Sequence, residues 1–321
     1  MDATVIICTY NRAADLDKTL AGFVGMDVAP GLSWELLVLD NNSQDATRAV
    51  TEKYGDRLPV ICLHEPRQGK GYALETGIAT ARGDLMLFTD DDVDVHPGWL
   101  NAMVASAKAH PEFDFFGGSV HGSKDLRPPA WYLENEDWLR ANPRIDLGDK
   151  EVIYTEPGTA RFIGANLGVR REVRGRRISF RTDLGPRGHF GQAGARKQAE
   201  EFELQNRLMS QGSRGIYVPG ARMDHRDPPH RLTERYLRYF YREQGREFVQ
   251  LSLVPPPTSA RRVLGAPAYL WKELLLNHAR YIQGRLTGNS GVWLRAAVAG
   301  SGCWGQILAY RAQRAGRAAN D

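Results

Sequence analysis

The chain has 321 residues, of which 42% are hydrophobic and 25% are charged, and its formal net charge at pH 7 is +4. This is the profile of an ordinary globular protein, long enough for one large domain with an appendage or for two domains. The three cysteines, Cys8, Cys62 and Cys303, are scattered and lack C-x-x-C spacing. This usage argues against a disulfide framework and a zinc site, and favours a reducing compartment.

No targeting or membrane-spanning segment is evident in the sequence. The residues after Met1 lack the basic region and the small-residue cleavage site of a signal peptide. The most apolar long stretch, residues 292–310, is interrupted by Arg295, Ser301 and Gln306, and therefore makes a poor spanning helix. We expect a cytoplasmic protein.

Apolar runs alternate with helical patterns over the first 120 residues. The runs show no polar alternation and single helices separate them, so they predict βαβ units and a parallel sheet buried on both faces. The predicted strands are residues 4–8, 34–40, 59–63 and 85–89. The predicted helices are residues 12–24, 43–55 with Ser43 as the N-cap, 71–83, and one that starts near Pro97.

The pattern changes after about residue 120. A polar, proline-bearing and aromatic stretch predicts an irregular insertion. Beyond it the sequence predicts a helix at 199–211, a pair of strands at 215–218 and 221–225, and an amphipathic helix at 231–251. Residues 254–260 are the clearest linker, and one or two further helices follow them.

Polar side chains follow each of the first four predicted strands. Because ligands bind outside the carboxyl ends of parallel strands, four such ends predict a ligand site at one edge of the sheet. Strand four ends in three aspartates, a D-x-D pattern that suits a divalent cation holding phosphate oxygens. The residues at these ends are Thr9 to Arg12, Asp40 to Ser43, Glu65 to Lys70, and Asp90 to Asp92.

Other interpretations of these strand ends remain open from the residues alone. Three aspartates are also typical of an exposed acidic turn, or of the N-cap of the helix near Pro97. No dinucleotide fingerprint follows the first strand, and "RQGKGYAL" is not a P-loop. Bound phosphates would therefore depend on a metal rather than on a glycine-rich cradle.

Several segments, taken in order, resemble the family 2 glycosyltransferases. They extend from about Thr4 to about Val249, and the ordered set is far more specific than any one motif. They are "TYNR", "LDNNSQD", "GKGYALETGIATARGD", "FTDDDVDVHPGWL", "FIGANLGVRRE", "EEFELQNRLMSQG" and "YVPGARMDH".

The resemblance implies a GT-A fold, an α/β fold with a mostly parallel central sheet flanked by helices. It implies a glycosyltransferase domain at 1–253, with a nucleotide-binding half at 1–120, an acceptor and catalytic half at 121–253, and a helical C-terminal extension at 254–321. The implied reaction moves a sugar with inversion from a nucleotide-diphosphate sugar, by family habit a UDP-sugar, with Mn²⁺ or Mg²⁺ as cofactor. The implied acceptor is a glycan or lipid-linked hydroxyl in cell-surface polysaccharide or glycolipid biosynthesis.

The resemblance also implies roles for individual side chains. Asp40 would bind the nucleotide base, and Asp92 and His225 would bind the metal. The other residues expected on the donor side are Thr9, Tyr10, Arg12, Arg67, Lys70, Asp90 and Asp91. The residues expected on the acceptor or sugar side are Asn166, Glu200 and Trp131.

The expected catalytic base is Glu201, where the family pattern has aspartate. The extra methylene displaces the carboxylate by roughly 1–1.5 Å, so the pocket must be shaped for the longer side chain. A second interpretation is structural, because Glu200, Glu201 and Glu203 lie in a first helical turn where acids favourably meet the helix dipole.

The sequence is also compatible with two other functions. A non-catalytic nucleotide- or glycan-binding module is an alternative to the enzyme, and a nucleotidyltransferase is a weaker one. Residues 261–321 carry nine Lys or Arg against two acids, with aromatic residues interleaved. This predicts either peripheral contact with the inner face of a membrane or a helical pair with its Arg side chains in water. No nucleic-acid reading motif is present.

Overall fold

The structure is a computed structural model that describes residues 1–123, 127–139, 144–157, 159, 162–185, 200–250 and 261–318. The linker predicted at 254–260 lies outside these residues. The chain divides into two compact units. The first comprises Met1–Asp125 with Pro143–Asp227, and the second comprises Leu126–Asn142 with Pro228–Asp321.

The strands and helices of the described residues are numbered in chain order. The strands are β1 (Ala3–Thr9), β2 (Trp34–Asp40), β3 (Val60–His64), β4 (Leu85–Asp90), β5 (Val93–Val95), β6 (Phe115–Gly122), β7 (Val152–Tyr154), β8 (Leu167–Arg170), β9 (Glu172–Val173), β10 (Arg176–Arg177), β11 (Gly215–His225), β12 (Arg262–Val263) and β13 (Ala266–Pro267). The helices are α1 (Ala13–Val24), α2 (Thr47–Glu52), α3 (Lys70–Thr80), α4 (Trp99–Ala109), α5 (Ala130–Leu133), α6 (Glu200–Ser210), α7 (Glu234–Gln250), α8 (Ala268–Leu286) and α9 (Ser290–Ala318).

A central sheet of nine strands organises the first unit, in the order β3-β2-β1-β4-β8-β6-β11-β5, with β7 also paired to β11. Strands β1 to β4 are parallel, as their apolar runs predict. Strand β8 is antiparallel to both β4 and β6, while β11 runs parallel to β6. The predicted fold class, a mixed α/β sheet flanked by helices, is confirmed.

Both faces of this sheet are buried, because alternate side chains of the strands point to opposite faces. Val5 and Ile7 of β1 belong to the hydrophobic cluster that also contains α1 and α4 residues. Ile6 belongs to the cluster on the other face, with Leu74 of α3 and Leu204 of α6. Continuous apolar strands are stable only in such a two-sided core.

Two predicted elements differ from the observed ones. Residues 215–225 form one strand rather than two, and the interruption is a β-bulge between Val218 and Arg222. Pro219 and Gly220 lie in that bulge, since proline has no N–H for the ladder. Ser43 does not cap a helix: α2 begins later, at Thr47, and the Ser43 hydroxyl accepts a hydrogen bond from the backbone N–H of Asn11 (2.9 Å).

The second unit is helical and has its own core, which includes Tyr132, Leu237, Trp293 and Leu294. Close approach of the helices requires glycine: a Cβ on Gly305 of α9 would lie 1.9 Å from the carbonyl oxygen of Arg242 in α7. Helix α7 therefore packs with the C-terminal helices, whereas the sequence assigned it to the catalytic half that ends at 253. Among the described residues, no helix is sufficiently long and apolar to cross a bilayer.

Candidate active site

The carboxyl ends of the parallel strands bring the predicted site residues together. The strand pairing places Thr9 beside Asp40, and Cys8 beside Asp90. Asp40 is also paired with His64 at the end of β3. The edge of the sheet predicted from the sequence is therefore formed by neighbouring strand ends.

The three aspartates lie at the junction between β4 and β5. Asp90 is the last residue of β4, and Asp91 and Asp92 form the turn into β5, where both are buried. The hydroxyl of Thr9 donates a hydrogen bond to Oδ2 of Asp91 (2.7 Å). Burial raises the pKa of Asp91 to about 7, although the nearby Arg12 guanidinium lowers it. These carboxyls are thus inside the protein rather than on an exposed acidic turn.

Arg12 bridges the buried aspartates. Its Nη1 lies 2.8 Å from Oδ1 of Asp91, and its Nη2 lies 2.9 Å from Oδ2 of Asp92. Asp15 in the first turn of α1 also contacts the guanidinium, at 2.7 Å. The guanidinium offsets the mutual repulsion of Asp91 and Asp92, and these carboxylate partners weaken its predicted role in binding phosphate.

His225 reaches the aspartates from the end of β11. The antiparallel pairing of β11 with β5 sets His225 opposite Val93, one residue beyond Asp92. Its Nε2 lies 3.2 Å from Oδ1 of Asp92 and 4.0 Å from Oδ2 of Asp90. Burial lowers the pKa of His225, but the Asp92 and Asp227 carboxylates outweigh it and raise the pKa to about 9.

Asp227 was not anticipated from the sequence, although it follows His225 by two positions. Its Oδ1 lies 3.1 Å from Nδ1 of His225, and its Oδ2 lies 2.7 Å from Nη2 of Arg144. The first contact turns Nε2 of His225 towards Asp92. An imidazole held in this way by a carboxylate is the usual arrangement of a metal-ligating histidine.

The residues present fit a divalent cation. Asp90, Asp92 and His225 each offer one ligand atom, and these atoms all lie within 4.8 Å of one another. Two carboxylate oxygens and one imidazole nitrogen are a donor set suited to Mn²⁺, and the oxygens suit Mg²⁺ as well. Asp92 and His225 were predicted as ligands, whereas Asp90 was predicted on the donor side.

Lys70 connects the aspartates to the predicted base. Its Nζ lies 3.1 Å from Oδ1 of Asp90 and 3.3 Å from Oε1 of Glu201, with Oε1 of Glu200 at 3.6 Å. Burial alone would lower the pKa of Lys70, but these three carboxylates raise it well above its ordinary value. The Lys70 ammonium is therefore held in its charged form and fixes the position of the Glu201 carboxylate.

The two glutamates differ in their surroundings. The side chain of Glu200 is 2% exposed and that of Glu201 is 20% exposed. Burial, together with the charge of Glu201, raises the pKa of Glu200 to about 8, although Lys70 opposes this effect. Glu200 therefore holds a proton near neutral pH, and of the two glutamates Glu201 has the greater access to a substrate.

Gly164 provides the space that the Glu201 side chain, the predicted base, occupies. A Cβ on this residue would lie 2.0 Å from Oε1 of Glu201 and 2.8 Å from its Cδ, so any side chain there would displace the Glu201 carboxylate. Gly164 begins the short 3₁₀ helix Gly164–Asn166, which precedes β8. The absence of a side chain at Gly164 thus makes room for the extra methylene of Glu201. The sequence alone did not predict this contact.

The loops that follow β2 and β3 are joined by Asn41, a residue not assigned a role from the sequence. Asn41 is 4% exposed. Its amide donates to the carbonyl oxygens of Glu65 (3.2 Å) and Arg67 (2.7 Å) and accepts from the N–H of Gly69 (2.7 Å). Gly69 directly precedes Lys70, so Asn41 fixes the start of α3 and with it the position of the Lys70 backbone.

The predicted nucleotide-binding residues occupy different positions at this edge. Asp40 is buried and accepts a hydrogen bond from the backbone N–H of Ser43 (2.9 Å), and Tyr10 is half-buried after β1. The Arg67 guanidinium contacts Glu65 at 2.8 Å and lies over the ring of Tyr72. Arg67 thus already has a carboxylate partner, which weakens its predicted role in binding phosphate.

Two residues predicted on the acceptor side make contacts inside the protein. Asn166 is fully buried; its amide accepts from Nε1 of Trp99 (2.8 Å) and donates to the carbonyl oxygens of Ser119 (2.9 Å) and Ala221 (2.8 Å). Both the oxygen and the nitrogen of its amide are hydrogen-bonded inside the protein, which weakens its predicted role in binding a ligand. Trp131 belongs to the second unit, where its ring packs on Trp293 at 5.5 Å.

The fold is that of the GT-A glycosyltransferases. The structure of the mannosyltransferase PcManGT from Pyrobaculum calidifontis, in complex with GDP-Man and Mn²⁺, aligns with a TM-score of 0.53 and 20% identity. The alignment covers 99% of this chain and 79% of that one. TarS 1–349 of S. aureus, in complex with UDP, aligns with a TM-score of 0.54 and 14% identity, over 98% of this chain and 92% of that one.

The sequence identifies the family. Residues 4–174, more than half of the chain, match the family described as Glycosyl transferase family 2, and the chain belongs to that family. It is therefore an enzyme, a glycosyltransferase. The glucosyl-dolichyl phosphate glucuronosyltransferase of Haloferax volcanii is 25% identical over 283 residues, which is 86% of this chain and 84% of that protein.

Proposed function

We propose that this glycosyltransferase is an inverting, metal-dependent enzyme that acts on a lipid-linked or glycan acceptor in cell-surface polysaccharide or glycolipid biosynthesis. The donor is a nucleotide-diphosphate sugar, with UDP preferred. The observation that carries the proposal is the chain of contacts from Glu201 through Lys70 to Asp90, which puts a base and the cation ligands in one site.

The proposed reaction is an in-line displacement at the anomeric carbon of the donor. The acceptor oxygen forms a bond to this carbon, and the bond from the carbon to the phosphate oxygen breaks. The electron pair leaves with the nucleoside diphosphate, and the hydroxyl proton passes to the Glu201 carboxylate. A divalent cation held by Asp90, Asp92 and His225 would supply stabilisation of the departing diphosphate charge.

The environment of the two glutamates supports Glu201 as the base. Lys70 holds the Glu201 carboxylate at 3.3 Å, and that side chain retains access to solvent. Glu200 is buried, and its pKa is raised to about 8, so it is a poor acceptor of a proton at neutral pH. Glu200 is proposed to shape the pocket rather than to contact the acceptor.

Relatives support a lipid-linked acceptor. The Haloferax volcanii relative is a glucosyl-dolichyl phosphate glucuronosyltransferase, and glucosyl-dolichyl phosphate is a lipid-linked sugar. That relative matches 86% of this chain, so the correspondence extends well beyond the nucleotide-binding half. The structural neighbours carry GDP-Man in one case and UDP in the other, so the choice of UDP is the part of the proposal that a donor screen must test.

The test combines a donor screen with one substitution. Hydrolysis of nucleotide sugars is measured with Mn²⁺ and with Mg²⁺, and the active donor is then used with Glu201→Gln. We expect turnover to fall by about 10²–10⁴-fold while the affinity for the nucleotide, measured by isothermal titration, stays within about twofold. Glu203→Gln is the matched control, because this residue of the same helix pairs with Arg207 (2.9 Å) outside the site.

Two outcomes would contradict the proposal. Full activity of Glu201→Gln would remove Glu201 as the base. Turnover that is unchanged by chelation of divalent cations would remove the metal, and with it the role given to Asp92 and His225.

A further inference from the structure

Helix α8 presents apolar side chains to solvent. Its buried residues, Leu270, Asn277 and Gly284, recur at intervals of seven and lie on one side of the helix. Large apolar residues occupy the opposite side. They are Leu275 (71% exposed), Leu276 (40%), Ile282 (47%) and Leu286 (82%).

Three of these residues form a continuous stripe. Leu275, Ile282 and Leu286 are separated by seven and four positions, and Ala279 fills the remaining place in the same row. The stripe is roughly 16 Å long at the helical rise. A surface helix of a water-soluble domain normally points polar residues outwards, so this face has the reverse polarity.

A hairpin extends the same apolar surface at the start of α8. Leu264 lies at the turn between β12 and β13 and is 71% exposed, with a backbone φ of 48°. The indole Nε1 of Trp271 donates to the carbonyl oxygen of Val263 (2.9 Å), which fixes the hairpin beside the first turn of α8. Trp271 precedes Leu275 by one turn, so the hairpin continues the row that the stripe begins.

Exposed cations outnumber acids in the segment that carries this surface. Arg261, Arg262, Lys272 and Arg280 are exposed, and Glu273 is the only acid between residues 261 and 289. A surface that combines exposed aliphatic side chains with cations is complementary to the head groups and upper acyl chains of an anionic bilayer. The aromatic residues that suggested membrane contact in the sequence are arranged differently: Trp293 is 6% exposed, and Trp271 packs against Trp304.

We propose that the outer face of α8 and the β12–β13 hairpin form a docking surface for an anionic lipid bilayer. The apolar stripe enters the interfacial region, and the flanking cations meet lipid phosphates. A second copy of the chain is a poorer occupant, because two such faces would bring like charges together along their edges. The proposal is independent of the donor, acceptor and base proposed above, since it concerns binding and not turnover.

The test is flotation of the full chain with lipid vesicles in the absence of any substrate. Vesicles of phosphatidylcholine with phosphatidylglycerol are compared with vesicles of phosphatidylcholine alone. We expect binding to the anionic vesicles, weakened when the salt concentration is raised from about 0.1 M to about 1 M. Leu286→Ser should lower the affinity by roughly tenfold, and adding Leu275→Ser should lower it further.

Controls separate docking from unfolding. Leu286 and Leu275 are largely exposed, so their substitution leaves the core intact, and Ile153→Ser removes a side chain of similar exposure (52%) from β7 in the first unit. Ile153→Ser should bind vesicles like the wild type. Equal binding by wild type and Leu286→Ser/Leu275→Ser would overturn the proposal. So would a wild-type dimer in sedimentation that this double variant converts to a monomer, because that result would assign the surface to a second copy.

Discussion

Gly164→Ala tests how the site accommodates Glu201, the proposed base. The new Cβ would lie 2.0 Å from Oε1 of Glu201, whereas real Cβ contacts stay above 3.0 Å, so the carboxylate must retreat by about 1 Å. A displacement of this size in a catalytic group costs on the order of 10²-fold, or about 2.7 kcal/mol of transition-state stabilisation. Because the base acts only in the transition state, we expect kcat to fall while KM for the donor stays unchanged.

Shortening Glu201 to aspartate should relieve the clash that Gly164→Ala creates. Glu201→Asp alone withdraws the carboxylate by roughly 1.5 Å and should also cost about 10²-fold. In the presence of Gly164→Ala the shorter side chain no longer meets the new methyl group. The double variant should therefore lose about 10²-fold rather than the product of about 10⁴-fold, a coupling of about 2.7 kcal/mol.

The assay is steady-state transfer, accompanied by nucleotide titration and thermal unfolding of each variant. Gly98→Ala is the matched control, because a Cβ there meets no atom within 4 Å. Gly164 lies outside the left-handed region of backbone conformations, so alanine is compatible with its backbone. Wild-type turnover of Gly164→Ala, or purely additive losses in the double variant, would refute the reasoning.

Two further predictions concern residues beside the site. Asp227→Asn should weaken Mn²⁺ binding by about 10–100-fold, as measured by electron paramagnetic resonance of free Mn²⁺, because Asp227 orients His225. Asp224→Asn, in β11 but on the face opposite to His225, should leave Mn²⁺ binding unchanged; equal effects of the two substitutions would contradict an orienting role. The hydrogen bonds of Arg67 lower the pKa of Glu65 to about 2 from its ordinary 4.5, so this stabilisation is present above pH 4.5 and is lost as the pH falls towards 2. Urea unfolding of wild type and Glu65→Gln should therefore differ at pH 6 and converge at about pH 2, and a constant difference would contradict it.

The parallel strands of the sheet were predictable because each is marked by the residues of its own segment. Strands β1, β2 and β4 are continuous apolar runs of a length typical of strands, and their burial on both faces leaves little alternative. Strand β11 was divided in two because Pro219 and Gly220 normally end a strand. Pairing with β6 on one side and with β5 and β7 on the other carries the strand through that interruption.

The composition of the second unit could not be predicted in the same way. Residues Leu126–Asn142 join Pro228–Asp321, and the core that unites them includes Tyr132 and Trp293. No local pattern indicates which distant segment an aromatic residue will pack against. The internal hydrogen bonds of Asn166 could not be predicted for the same reason. Its position in a recognisable motif suggested contact with a ligand, but its amide is hydrogen-bonded to three groups that are distant in sequence.

The candidate site was predictable where chemistry follows directly from a strand end. Asp92 and Lys70 are charged residues beside apolar runs, and such residues need a partner or a ligand. Three residues of the site were not predicted. The contacts of Asn41 and Asp227 depend on how the chain folds, and Gly164 contributes through the absence of a side chain. Of these three residues, only Asp227 could have been suspected from the sequence, because a carboxylate two positions after a histidine is close enough to orient the imidazole.

The position of His225 on β11 has a consequence for how this protein acquires activity. The aspartates are complete once residue 92 has been made, but His225 joins them only after β11 has paired with β5. In the chain, His225 follows Asp92, the other part of the proposed cation site, by more than 130 positions, and pairing over such a separation slows folding. Capture of the proposed cation would therefore report that the first unit has been assembled to its last strand, since a chain released before residue 215 has the aspartates but not the imidazole.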